Sequence, residues 1–175
     1  MEGHGILDKA GLKADKVKSL SPANLHLMLA ERKVDIGFAG FTTVATARSE
    51  GKDLIVIHGV FSPVNSVFVQ KNSSIHSLSE LKGKKLGVFG GPGSTTFVFL
   101  AVIAKNWYGI DLFQDAELIT APGPALVELL GKGDVDAALL GTTESIQMVA
   151  QQRYRVLVDL IAEYKAHTDG RRRLT

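Results

Sequence analysis

Gly133-Asp134-Val135-Asp136-Ala137-Ala138-Leu139-Leu140-Gly141-Thr142-Thr143 is a near-copy of Lys33-Val34-Asp35-Ile36-Gly37-Phe38-Ala39-Gly40-Phe41-Thr42-Thr43, roughly a hundred residues earlier. Each copy follows an amphipathic run, Asn24 to Arg32 and Pro124 to Lys132, and leads into another helix-like stretch. The pattern in each is helix, buried strand, glycine turn, helix, and two such units predict two lobes. Ligands of open α/β sheets sit outside the carboxyl ends of strands, where the next helix begins. Both copies carry glycine followed by paired threonines there, so the expectation is one ligand shared by two lobes.

Outward from the repeat, short apolar runs alternate with helical periodicity, which predicts α/β layering around a largely parallel sheet. In the first part, Val17 to Leu20, Val34 to Ala39 and Leu54 to Val60 read as strands. Ser21-Pro22 starts a helix, Phe41 to Glu50 reads as another, and Phe61 to Asn65 is the candidate crossover. In the second part, Ser77-Leu78-Ser79-Glu80 fits a capping box closed by Gly83. Strands are expected at Ser66 to Gln70, Leu86 to Phe89, Glu117 to Thr120, Val135 to Leu140 and Arg155 to Ile161. Helices are expected at Ser94 to Tyr108, Pro124 to Leu130 and Thr143 to Gln152. The domain reading is a partial first lobe over 1–64, a complete α/β unit over 65–160, and a tail or return segment over 161–175.

Composition excludes several classes. Hydrophobic residues at 45% and charged residues at 22% are those of a globular chain with a packed core. A net charge of +2, with Lys and Arg scattered among acids, argues against a nucleic-acid partner. The arginines Arg171-Arg172-Arg173 fall in a polar terminal stretch and read as a solvated end. With no cysteine, disulfides, thiolate nucleophiles and most structural zinc sites are out of reach. No apolar run is long enough for a membrane helix, and Met1-Glu2-Gly3-His4 lacks the form of a signal peptide.

The residue types with chemical promise lie at strand-to-helix junctions. Gly90-Gly91-Pro92-Gly93-Ser94-Thr95-Thr96 lets backbone approach a ligand and ends on a helix start, whose free N–H groups suit an anion or polar head group. Alone it is equally a tight turn with Ser94 as cap; together with Gly40-Phe41-Thr42-Thr43 and Gly141-Thr142-Thr143-Glu144 it reads as a pocket. It is not a phosphate-binding Walker loop, because Gly93 stands where the lysine belongs, and the dinucleotide fingerprint breaks at Thr96. No nucleophile elbow, zinc helix or paired-carboxylate motif is present. Phe41 either walls the cleft or packs in the core. Glu144 either accepts a hydrogen bond from a ligand amine or favours its helix start. Asp35 and Asp136 read as structural turn residues, and His58 as a half-buried structural histidine at a strand end.

Val34 to Gly40, Ser77 to Val88, the Gly90 to Thr96 loop and Gly133 to Ala137 resemble, in order and spacing, the type II periplasmic solute-binding proteins of the nitrate, sulfonate and taurine branch. The resemblance runs from about Gly5 to Tyr164. It implies a bilobed type II α/β receptor of parallel-sheet lobes with flanking helices, which closes on a small anionic or polar solute of the sulfonate, nitrate or heterocycle class. Such a receptor hands its solute to an ABC transporter permease, has no catalytic residue, metal or cofactor, and is periplasmic or extracellular and lipid-anchored. Carried over by position, the ligand-binding residues are Phe41, Thr42 and Thr43 from lobe one, Ser62 and Asn65 near the hinge, and Gly91, Ser94, Thr95, Thr142 and Glu144 from lobe two. Receptors of this kind carry further lobe-one chain on both sides, so the first lobe is expected to be incomplete and to form a homo-oligomer through its open edges. Two alternatives share the architecture: the ligand-sensing effector domain of LysR-type regulators, and relatives of thiamine-pyrimidine precursor synthases. Against the latter, this chain has no cysteine-rich segment, and Thr42 and Thr43 stand where a histidine is expected.

Overall fold

The computed structural model describes residues 5–17, 22–59 and 65–168. They fall in two compact units, Met1–Ile55 and Val56–Thr175.

The first unit contains α1 (Ile6–Lys9), α2 (Pro22–Ala30) and α3 (Phe41–Ser49). Pro22 opens α2, a position where its fixed φ fits and its missing N–H is not needed. Among the described residues this unit has no strand. The expected strands at Val34 to Ala39 and Leu54 to Val60 are therefore corrected: 34–40 and 52–59 run without ladder partners. Their side chains are not buried either, with Ile36 76% and Ile57 69% exposed. The second of these segments continues past Ile55 into the other unit; a strand is held by a neighbouring chain, and no described residue pairs with either segment. Of the expected strand at Val17 to Leu20, all but Val17 lies outside the described residues, as does most of the crossover at Phe61 to Asn65.

The second unit is built on a five-stranded sheet. Its strands are β1 (Ser66–Gln70), β2 (Lys85–Val88), β3 (Glu117–Thr120), β4 (Ala137–Leu140) and β5 (Tyr154–Asp159), in the order β3-β2-β4-β1-β5. β2 is parallel to both β3 and β4, whereas β1 is antiparallel to β4 and β5. Four strands thus run one way, and β1 enters against them. The helices are α4 (Thr95–Tyr108), α5 (Leu112–Asp115), α6 (Gly123–Lys132), α7 (Thr142–Ala150) and α8 (Leu160–His167). One apolar cluster, including Leu86, Val88, Phe97, Leu100, Ile103 and Leu139, fills one side of the sheet. A second, with Phe68, Leu126, Leu130, Leu140 and Met148, fills the other. β4 is fully buried at all four positions, as a strand covered on both faces must be.

Local chemistry fixes the element ends. Ser94 caps α4 by accepting from Phe97 N at 3.3 Å, and Gly109 in the left-handed region closes it. Asp159 caps α8 through Ile161 N and Ala162 N, so the last strand stops there and does not reach Ile161. The capping box forms differently from the expectation. Ser77 Oγ accepts from Ser79 N, Glu80 Oε2 accepts from His76 N, and the result is a 3-10 turn over Leu78–Leu81. Asp136 is structural, as expected: its Oδ2 accepts from Lys85 N at 2.8 Å and ties β4 to the start of β2.

α8 lies where the tail or return segment was expected to begin, and it packs along α4. Trp107 stacks on His167 at 4.3 Å, Tyr164 meets Phe99 and Trp107, and Tyr108 donates to Glu163. Burial, then the hydrogen bond to Glu163 and its charge, push the Tyr108 hydroxyl up to about 12. In the same last turn of α4, the Lys105 ammonium holds the Asp111 carboxyl below its usual range.

Candidate functional site

The sheet register places several sequence-predicted residues at one edge of the second unit. Val88 pairs with Leu139 and with Thr120, so β2, β3 and β4 finish side by side. β1 runs the other way, and Ser66 opposite Leu140 sets Asn65 beside Gly141. Asn65, Gly91, Ser94, Thr95, Thr142 and Glu144 therefore all lie where strands end and helices start. Phe41, Thr42 and Thr43 form the first turn of α3 in the other unit, and Ser62 lies outside the described residues.

The loop before α4 is shaped by its glycines. Gly90 and Gly91 hold φ of 76° and 79°, a region that side-chain-bearing residues rarely adopt. A Cβ on Gly91 would meet Thr120 Cγ2 at 3.3 Å, so this backbone also runs against the end of β3. The turn delivers Ser94, whose hydroxyl donates to Phe89 O at 3.3 Å while capping the helix. Fourteen residues of α4 then align their peptide dipoles toward this loop.

Behind the loop sits Asn65, 5% exposed. Its Nδ2 donates to Thr96 Oγ1 at 2.7 Å, and its backbone carbonyl accepts from Leu160 N. Its Oδ1 is buried with no partner among the described residues. A buried acceptor left without a donor costs about 1–3 kcal/mol, so such groups are retained where a donor arrives from elsewhere.

The third junction carries the charge. Glu144, in the first turn of α7, lays its carboxylate against Gly141 and Gly123. Ser145 Oγ donates to Leu140 O beneath it. No lysine, arginine or histidine occurs in 89–96, 120–124 or 141–145, so Glu144 is the one ionisable side chain of these segments.

Thr96, the last residue of the glycine loop read from sequence, bonds Asn65. Two participants were not singled out from sequence: Phe89 is 40% exposed and meets Gly141, and Gly123 faces Glu144. Ala121-Pro122-Gly123-Pro124 did carry a signal, since a glycine held between prolines at a helix start asks what needs the missing side chain. His58, read as half-buried, is exposed.

A sheet of mainly co-directional strands with one reversed strand, flanked by helices, is the fold found in type II solute-binding proteins. The sulfonate-binding protein SsuA of Escherichia coli superposes with a TM-score of 0.76 at 21% identity, over 97% of this chain and 64% of that one. SsuA of Xanthomonas axonopodis bound to MOPS gives 0.66 at 18% identity, over 90% and 55%. The chain belongs to the NMT1/THI5-like family, whose profile it matches over residues 2–170. It is 33% identical over 84 residues to a Haemophilus influenzae protein named a putative thiamine biosynthesis protein, covering 47% of this chain and 27% of that one. It is 25% identical over 150 residues to the 4-amino-5-hydroxymethyl-2-methylpyrimidine phosphate synthase of Aspergillus parasiticus, covering 85% of this chain and 42% of that one. The chain thus spans less than half the length of these two relatives, and under two thirds of the two solved structures. No described helix is long and apolar enough to cross a membrane.

Proposed function

We propose that this chain forms part of the solute-binding component of an ABC importer and takes a small anionic or polar solute at the β2–α4 and β4–α7 junctions. The reading covers the sulfonate, nitrate and heterocycle classes. In this reading Phe41, Thr42, Thr43 and Ser62 also contact solute, an ABC permease receives it, and the protein works outside the cytoplasmic membrane. The observation that carries it is Asn65, whose buried carboxamide oxygen has no partner among the described residues and adjoins the start of α4.

The sums limit the affinity. An anion at a helix start gains about 0.3–1 kcal/mol, or ~2 when partly buried, and each further hydrogen bond about 1. One unit contributes on the order of 3–4 kcal/mol, close to the ~4 kcal/mol of a millimolar constant. Titration of 15N-labelled protein with ethanesulfonate, nitrate and 4-aminopyrimidine is expected to move the amides of Gly91, Ser94 to Thr96 and Gly141 to Glu144 for at least one of them, with a millimolar constant. Shifts confined to other surfaces, or none, would overturn the reading.

The exposed Ile36, Phe38, Ile55, Val56 and Ile57 support a homo-oligomer joined through the first part. Light scattering is expected to show mass rising with concentration, and a clean monomer at high concentration refutes it. The Aspergillus relative favours a second reading, pyrimidine synthesis.

A further inference from the structure

Asn65 is held through its backbone and through its side chain. The backbone carbonyl accepts from Leu160 N at 3.2 Å, at the start of α8, and the ladder of β1 begins one residue later, with Ser66 opposite both Leu140 and Asp159. The side chain is held through Nδ2, which donates to Thr96 Oγ1 at 2.7 Å. The backbone bonds fix where Asn65 stands. Among the described residues, the bond to Thr96 is what fixes which way its carboxamide turns.

A carboxamide carries donors on one side and an acceptor on the other. Its terminal torsion has two broad wells and χ1 has three, so an asparagine free to turn spreads over about six states. Thr96 is suited to select one of them. It is the second residue of α4, beside the fully buried Phe97, and its branched Cβ restricts χ1 within a helix, so Oγ1 is a stationary acceptor. With the bond in place Nδ2 is engaged, and Oδ1, buried without a partner among the described residues, is the end left to offer.

We infer that Thr96 is a positioning residue that sets the orientation of the Asn65 carboxamide without touching the solute itself. The inference rests on the solute-binding reading and extends the site inward by one residue. Removing the Thr96 acceptor lets the carboxamide turn, the fraction of molecules presenting Oδ1 falls toward about one in six, and apparent affinity falls with it.

The test is a double-mutant cycle read by amide-shift titration with ethanesulfonate, nitrate and 4-aminopyrimidine. Thr96→Val keeps the outline and removes the acceptor, and it is expected to weaken binding of a probe that wild type takes by about fivefold. Thr96→Ser restores the hydroxyl and should bring affinity back to within about twofold of wild type. Asn65→Ala should weaken binding at least as much as Thr96→Val, and adding Thr96→Val to Asn65→Ala should change nothing further. The Asn65 side-chain NH2 should exchange with solvent faster in Thr96→Val than in wild type, and at the wild-type rate in Thr96→Ser. A lower melting temperature in Thr96→Val follows from burying Nδ2 without an acceptor, so it accompanies either role and affinity decides. Wild-type affinity in Thr96→Val makes Thr96 structural only and overturns the inference. Additive losses in the double variant mean that Thr96 acts on the solute without Asn65, which also overturns it; both results leave the solute-binding reading standing. Absence of any shift at the junctions with every probe overturns the inference together with that reading.

Discussion

Phe97→Ala is expected to destabilise the second unit by about 3–5 kcal/mol, the range for deleting a fully buried phenylalanine. Phe97 is 0% exposed, and its ring meets Phe113 edge-on at 5.0 Å and 86°. It sits in the first turn of α4, and its backbone N–H is the one that Ser94 caps. The truncation opens a cavity beneath the first turn of the helix that presents Ser94, Thr95 and Thr96. Urea unfolding followed by circular dichroism should show the midpoint falling with little change in slope. A loss below about 1 kcal/mol would mean that the cluster collapses around the gap and does not hold the turn in place.

Ser94→Ala combined with Thr95→Ala is expected to weaken solute binding about 30-fold, the equivalent of about 2 kcal/mol. Two hydroxyls at roughly 1 kcal/mol each account for that figure. Loss of the Ser94 cap adds a stability cost of about 0.5–2 kcal/mol, which by itself mimics a binding defect if the turn frays. Ser94→Gly separates the two effects. Glycine is nearly as good a cap, so it holds the helix within a few tenths of a kcal/mol while removing the hydroxyl. Binding lost in Ser94→Gly at retained stability assigns the hydroxyl to the solute. Binding retained in the double alanine variant would place the solute elsewhere.

The two copies of the opening repeat show how far sequence carries. Both have the composition of a buried strand between helices. Ala137 to Leu140 becomes one, fully buried between β2 and β1, whereas 34–40 stays unpaired with Ile36 and Phe38 exposed. Composition makes a segment able to be a strand, and pairing makes it one, through partners far away in sequence. β1 shows the same limit. Its apolar run was legible, but its reversal was not, because direction in a sheet depends on where the preceding chain enters.

The candidate site divides the same way. Gly90-Gly91 before Ser94 could be read directly, since left-handed backbone selects glycine and a helix start selects serine, both over a few residues. The capping box at Ser77 was half legible: both side chains cap, but on donors shifted from the expected ones, and the turn tightens to 3-10.

By itself, then, the amino-acid sequence determined the α/β alternation, the helix starts, the glycine turns and the lack of lysine and arginine within the three glycine junctions, because each is set by residues within a few positions of one another. Only the tertiary structure decided that Asn65 is buried against Thr96 with an oxygen that finds no partner among the described residues, that the 34–40 copy lacks a ladder, and that Gly123 leaves space for Glu144. These depend on segments about twenty to thirty residues apart meeting in space, and no local pattern encodes that meeting.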